Sequence, residues 1–179
     1  MIKAQSVPAS APIRHGLRAM RPADLPIVCG WLGEPHVTRW WPDPESALRS
    51  IARHLGQPAI ERFILTIDSR DAGYLVYDPH HGPPTGAHAQ TSIHPDRDPP
   101  SGARGIDLFI GKARFIGRGH GPRLTRRILD HLFEGAMRRV STDPDPMNTR
   151  SVAALDRAGD SAASPGGVCS SCAATITNQ

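Results

Sequence analysis

Residues 104–124 of the 179-residue chain read R-G-I-D-L-F-I-G-K-A-R-F-I-G-R-G-H-G-P-R-L. The mostly apolar start of this stretch, residues 104–110, predicts a β-strand. Glycines at positions 117, 119 and 121 predict a loop, and the apolar spacing after them predicts a helix up to about Gly135. This order suits a phosphate-bearing ligand, because glycines let the backbone approach it and the helix N-terminus offers free N–H groups.

The glycine-rich loop differs from two common nucleotide-binding motifs. No Gly-Lys-Ser/Thr follows it, as a P-loop requires, and the third glycine of a dinucleotide fingerprint is absent. Arg118 can add an ionic contact to a phosphate, and Arg123 and Lys112 can assist. Taken alone, the loop is also compatible with a simple turn.

Strand and helix patterns on both sides of the loop predict an α/β (α+β) domain. Residues 62–67 and 73–77, with a turn at 69–71, predict a hairpin. Residues 80–102 are rich in Pro, Gly, His and Asp and are expected to form an exposed excursion between strands. The other predicted elements are strands at 17–20 and 139–142, and helices at 21–33, 44–55 and 148–158, the last capped by Asn148.

Composition limits the classes of function. A net charge of +4 is compatible with an anionic ligand, but with 5% aromatic residues the arginines are not interleaved with aromatics, so we expect no nucleic-acid partner. No run of about 18 apolar residues occurs, so no membrane span is expected. The first residues lack the apolar core of a signal peptide, which favours a cytoplasmic location. Cys169 and Cys172 have C-x-x-C spacing but no further Cys or His nearby, so no metal site is expected.

The run Ile116-Gly117-Arg118-Gly119-His120-Gly121 resembles the pyrophosphate loop of the GNAT acetyltransferases, R/Q-x-x-G-x-G/A. Gly119 and Gly121 match its glycines, whereas Ile116 stands where Arg or Gln is usual. The segments R-G-I-D at 104–107 and T-D-P-D-P-M-N-T-R at 142–150 also occur in the family's order, as do the pairs Trp40-Trp41 and Gly73-Tyr74. As a set, over residues 14–159, they resemble aminoglycoside 6'-N-acetyltransferases and the related siderophore-biosynthesis acetyltransferases.

The resemblance implies the GNAT acyl-CoA N-acyltransferase fold, with a central mostly antiparallel mixed sheet that is splayed at the cofactor site and flanked by helices. Residues 1–12 are then a loose leader and residues 13–159 the acetyltransferase domain. Residues 160–179 form a compositionally atypical tail, expected either to be disordered or to replace the family's last strands.

The resemblance also implies roles for individual residues. Acetyl-CoA would be the co-substrate, without a metal, and its binding site would comprise Phe109, Ile110, Ile116, Gly117, Arg118, Gly119, His120, Gly121 and Asn148. Asp107 would accept the proton of the attacking amine. The acceptor site would comprise Trp40, Trp41, Asp107, Asp143 and Asp145. The alternatives are structural: a support or cap for Asp107, a turn for the two later aspartates, core burial for one tryptophan and helix capping for Asn148.

One departure from the family pattern bears on activity. The family usually ends its last helix with Y-E-K-A-G-F, and the tyrosine is a proposed acid for the departing coenzyme A. This chain has Leu155-Asp156-Arg157-Ala158-Gly159-Asp160. Taken together, the motifs and the resemblance predict an N-acetyltransferase that acts on a small-molecule amine. The first candidate for the acceptor is the 6'-amine of an aminoglycoside. The alternatives are a hydroxylysine-like siderophore precursor as acceptor and an inactive remnant that binds acetyl-CoA. The chain is expected to be a monomer or homodimer.

Overall fold

The computed structural model describes residues 12–41, 43–57, 60–78, 103–134, 139–142, 144–160 and 174–177. The strands are β1 (His15–Ala19), β2 (Glu61–Ile67), β3 (Arg70–Asp78), β4 (Ala103–Ile110), β5 (Arg139–Thr142) and β6 (Ala174–Thr177). The α-helices are α1 (Leu25–Leu32), α2 (Pro35–Thr38), α3 (Pro44–His54), α4 (His120–Glu134) and α5 (Thr149–Asp160). None of the helices within these ranges is both long and apolar enough to cross a membrane.

The six strands form one sheet in chain order, β1-β2-β3-β4-β5-β6. Strands β4 and β5 run parallel, and every other neighbouring pair is antiparallel. The prediction of a mostly antiparallel mixed sheet flanked by helices is therefore confirmed.

The sheet opens between its two parallel strands. The register joins Ala103–Gly105 of β4 to Arg139–Ser141 of β5. Beyond that point β4 continues to Ile110, still paired with β3 on its other side. This divergence is the splay that the resemblance implied, and it leaves a gap beside the second half of β4.

Side chains on the two faces of the sheet form two separate hydrophobic clusters, because successive strand residues point to opposite faces. On one face, Leu65, Leu75 and Ile106 pack with the buried stripe of α4. On the other face, Ile64, Tyr74 and Phe109 pack with α1 and α3. Helix α4 owes its place to Leu124, Ile128, Leu129 and Leu132, each at most 5% exposed, which the spacing predicted as its buried side.

The hairpin turn lies earlier than predicted. Residues 69–71 are not the turn, because Arg70 and Asp71 already belong to β3. The turn is made by Asp68 and Ser69, which have φ of 48° and 62°. Arg14 holds this left-handed pair in place: its N–H donates to Asp68 Oδ1 at 2.9 Å, and its carbonyl accepts from the Asp68 N–H at 2.8 Å.

The tail contributes a strand to the sheet. Within it, β6 pairs antiparallel with β5 over all four of its residues, and α5 extends to Asp160. Residues 161–173, which include Cys169 and Cys172, lie outside the described part of the chain, as do residues 1–11 of the leader and residues 79–102 of the excursion.

Candidate active site

A cleft of about 880 Å³ lies beside the free part of β4. Its walls come from α2 and the residues after it, the end of β4, the glycine-rich loop and α5. Most of the predicted site residues line it together: Trp40, Trp41, Asp107, Phe109, Ile110, Ile116, Gly117, Gly119, Gly121, Asp145 and Asn148. The fold thus brings both halves of the predicted site into one cavity.

The part of the cleft predicted to bind the cofactor is the loop before α4. Gly117 and Gly119 have φ of 74° and 76°, a conformation that favours glycine. No atom lies within 4 Å of the position a Cβ would take at either residue, so the backbone is open to a ligand. Helix α4 begins at His120, and its first N–H groups have no partner within the helix. This geometry suits the pyrophosphate that the loop was predicted to bind.

Two predicted loop residues are not among those that line the cleft. The Arg118 side chain is exposed, and neither Arg118 nor His120 is among the residues that line the cleft. His120 is buried, with its Nδ1 atom 3.0 Å from Nε2 of His15 on β1 and its ring edge-on to Phe115. For His120 the backbone N–H therefore remains the candidate for the predicted cofactor contact, whereas the contact from the exposed Arg118 side chain stays a prediction.

The histidine pair predicts a pH-dependent stability. Burial lowers the pKa values of His15 and His120 below the ordinary value, and the positive charge of Arg123 lowers both further. A histidine with a lowered folded-state pKa destabilises the fold on protonation, so the free energy of unfolding should fall as pH drops from about 7.5 through and below about 6.5, the unfolded-state pKa. Urea titrations across that range test this, and His15→Asn should flatten the slope. An unchanged slope in that variant would contradict the assignment.

The part of the cleft predicted to bind the acceptor is aromatic and carries Asp107. On β4, Asp107 and Phe109 are two residues apart and therefore share the face that packs with α1 and α3. The Trp41 ring is edge-on to Phe109, with ring centroids 5.1 Å apart, and also meets Tyr74 at 6.5 Å. Trp41 thus belongs partly to the core, whereas Trp40 is half-buried beside the exposed Arg39, whose guanidinium carbon lies 5.0 Å from the ring.

Beneath Asp107, Tyr74 is almost fully buried. Burial raises the pKa of its phenol above the ordinary value, so the group stays neutral. The buried Arg62 forms a hydrogen bond with this phenol and donates through Nη1 to the His54 carbonyl at 3.1 Å. A neutral phenol that is hydrogen-bonded to a buried arginine therefore lies near Asp107, within the hydrophobic cluster of this face.

A contact that sequence reasoning missed joins the two sides of the cleft. His36 Nε2 on α2 donates to the carbonyl oxygen of Ile110 at 3.0 Å. The bond fixes the end of β4 to the segment that carries Trp40 and Trp41. The residues are 74 positions apart, and no local pattern around His36 pointed to Ile110.

The segment before α5 meets its predictions in part. Asn148 Oδ1 accepts from the Ser151 N–H at 3.2 Å, so the predicted cap is confirmed, and Asn148 also lines the cleft. Asp145 Oδ1 accepts from the Met147 N–H at 2.8 Å, which is the structural alternative for that residue, although it too lines the cleft. Asp143 lies outside the described residues.

Leu155, which stands where the resemblance places the family's tyrosine, lies in the cleft wall. It is 6% exposed and lines the cleft from α5. The side chain offers no proton donor, so at this point of the wall the cleft is apolar.

Comparisons with known proteins agree with this geometry. The acetyltransferase (GNAT) domain family matches residues 21–164. Aminoglycoside N(6')-acetyltransferases type 1 from Klebsiella pneumoniae and from Serratia marcescens are each 28% identical over 151 residues, which is 80% of this chain and 72% of theirs.

Solved structures give the same relationship. The aminoglycoside acetyltransferase AAC(6')-Ib superposes with a TM-score of 0.65, both in complex with coenzyme A and in complex with coenzyme A and kanamycin. In each case the identity is 26%, over 82% of this chain and 83% of the other. The matched family covers the loop, β4 and the cleft, and the chain belongs to the GNAT acetyltransferase family.

Proposed function

We propose that this protein transfers the acetyl group of acetyl-CoA to a primary amine of an aminoglycoside, the 6'-amine first. The observation that carries the proposal is the single cleft in which an open glycine-rich loop, an aromatic wall and Asp107 meet. The relatives support the acceptor, since both enzymes named above are aminoglycoside N(6')-acetyltransferases. Acetyl-CoA supplies a thioester, and no metal is required.

The cofactor residues would position the thioester. Backbone N–H groups of the loop and of the start of α4 would bind the pyrophosphate. The gap beside Phe109 and Ile110 would take the pantetheine arm, with a backbone amide of β4 polarising the thioester carbonyl. Asn148 lies on the opposite wall, where it can contact the same arm. Holding amine and thioester together would supply much of the rate.

Asp107 would handle the proton. An amine is mostly protonated at neutral pH, and only the neutral form is a nucleophile. The carboxylate would hold the ammonium group and then take its proton, directly or through water. As the nitrogen bonds to the acetyl carbon, the carbon–sulfur bond breaks. Leu155 cannot protonate the departing sulfur, which would therefore leave as a thiolate and take its proton from water.

A second acceptor is favoured by the charges of the cleft. Among the described lining residues, Arg39, Arg150 and Arg157 outnumber Asp107 and Asp145. An acceptor with a carboxylate, such as a hydroxylysine-like siderophore precursor, would suit this balance better than a polycation. We place the reaction in the cytoplasm, with a monomer or homodimer as the active form.

A thiol-release assay with acetyl-CoA decides between these acceptors. Kanamycin and ribostamycin represent the aminoglycosides, and hydroxylysine-type amines the alternative. We expect release with at least one aminoglycoside, with mass spectrometry and NMR locating the acetyl group on the 6'-nitrogen. Release with the hydroxylysine panel alone would favour the second acceptor. Acetyl-CoA binding without release for any amine would indicate an inactive remnant, and absence of binding would contradict every form of the proposal.

A further inference from the structure

A second, smaller cavity lies directly beside the glycine-rich loop. Its volume is about 330 Å³, and it is lined by Ile13, His15, Pro122, Arg123, Arg126 and Arg157. Two of these residues, Pro122 and Arg157, also line the main cleft. Because Pro122 directly follows Gly121, the cavity adjoins the end of the loop.

The cavity concentrates positive charge. Three guanidinium groups converge on it from α4 and α5, and arginine does not lose its proton in proteins. Among the described residues Arg126 forms an ion pair with Asp130, in which its Nε atom donates to Oδ1 at 2.9 Å. Both side chains are about 40% exposed, so water screens the pair and it holds Arg126 only weakly. Arg126 Nη1 is buried and has no hydrogen-bond partner among the described residues.

The pKa values of His15 and His120 are consistent with this concentration of positive charge. His15 lines the cavity, and His120, which does not line it, is hydrogen-bonded to His15. Burial and then nearby cations lower both pKa values, although Asp68 acts in the opposite direction. The groups that can lose positive charge are therefore driven toward neutrality, whereas the arginines keep theirs. A bound anion would relieve that repulsion.

We propose that this cavity binds a phosphate dianion, and that the dianion is the 3'-phosphate of acetyl-CoA. The inference rests on the proposed function, since it takes the pyrophosphate to sit on residues 117–121. The 3'-phosphate is attached to the ribose next to that pyrophosphate, and the cavity adjoins the loop and is lined by three arginines. Arginine suits the task because its planar fork can bind a phosphate through two parallel hydrogen bonds.

Binding of CoA and of 3'-dephospho-CoA, measured by isothermal titration calorimetry, tests the inference. We expect the unmodified protein to bind CoA about tenfold more tightly than 3'-dephospho-CoA, as loss of a charge-assisted hydrogen bond predicts. Arg126→Gln should remove most of that preference while leaving the affinity for 3'-dephospho-CoA unchanged. Arg123→Gln should lower the affinity for CoA more than that for 3'-dephospho-CoA. Arg127→Gln is the matched control, because Arg127 is exposed on the same helix and does not line the cavity.

The outcomes separate this inference from the proposed function. Equal affinity for the two nucleotides, or equal losses for both in the variants, would overturn the inference and leave the proposed function standing. Binding of neither nucleotide would contradict the proposed function and the inference with it. Retained binding of 3'-dephospho-CoA shows that a variant is folded.

Inorganic phosphate identifies the source of the dianion. We expect it to weaken the binding of CoA much more than that of 3'-dephospho-CoA, because only CoA would need the cavity empty. Equal competition against both nucleotides would place free phosphate on the glycine-rich loop and overturn the assignment of the cavity.

Discussion

Asp107→Asn is expected to lower kcat for acetyl transfer by about 100-fold to 10,000-fold, the range that a positioned general base contributes. The amide is nearly isosteric but can neither hold the ammonium group by charge nor take its proton. Because Asp107 is proposed to contact the amine and not acetyl-CoA, the KM for acetyl-CoA should change by no more than about twofold. Initial rates of thiol release at saturating acetyl-CoA measure the effect.

Asp43→Asn is the matched control for this substitution. Asp43 accepts from the Ser46 N–H at 2.9 Å as the N-cap of α3, and asparagine caps a helix equally well. Its kcat should equal that of the unmodified protein. If Asp107→Asn also turns over at the original rate, Asp107 is not the base and the structural alternative for it stands.

Gly73→Ala is expected to lower the free energy of unfolding by about 3 kcal/mol, at the upper end of the cost of overpacking. A Cβ at residue 73 would lie 2.2 Å from the Phe109 carbonyl oxygen and 3.0 Å from the Ile110 Cα. Both obstacles are backbone atoms, so no side-chain rotation relieves the clash. Strands β3 and β4 must separate at the segment that borders the cleft, and kcat/KM should fall as well.

Gly30→Ala, the same substitution at another glycine, is expected to have the opposite effect on the free energy of unfolding. Gly30 lies in α1, and no atom stands within 4 Å of the position its Cβ would take. Alanine there should raise the free energy of unfolding by about 0.5–1 kcal/mol. Urea denaturation compares the two variants. Equal stability of Gly73→Ala and the unmodified protein would show that β3 and β4 can move apart at low cost.

The elements set by local signals could be predicted from the sequence. The strand, loop and helix from residue 103 to 134 follow from apolar spacing and from glycines that adopt positive φ. The hairpin turn could not be placed, because Asp68 and Ser69 hold left-handed conformations that depend on Arg14, 54 residues away. A left-handed backbone conformation favours glycine or asparagine, and neither residue occurs at positions 68 and 69.

The site also has a part that could be predicted from the sequence and a part that could not. The resemblance grouped Trp40, Trp41 and Asp107, and the structure places them around one cleft. The roles of these residues stay predictions until the variants are measured. The bond from His36 to Ile110 joins distant segments, and so does the pairing of His15 with His120 across 105 residues. The spacing of apolar residues predicts neither of these two contacts, because each depends on how the helices pack on the sheet.

The gap between β4 and β5 has a thermodynamic consequence. From Asp107 to Ile110, the edge of β4 that faces away from β3 borders the cleft and has no neighbouring strand. An extended, amide-bearing ligand laid along this edge would meet the hydrogen-bonding demand of the backbone as a seventh strand would. Ligand occupancy and conformational stability are then linked, with a gain of about 2.7 kcal/mol at a ligand concentration 100 times Kd. The free edge of β4 therefore forms its full set of backbone hydrogen bonds only when a ligand occupies the cleft.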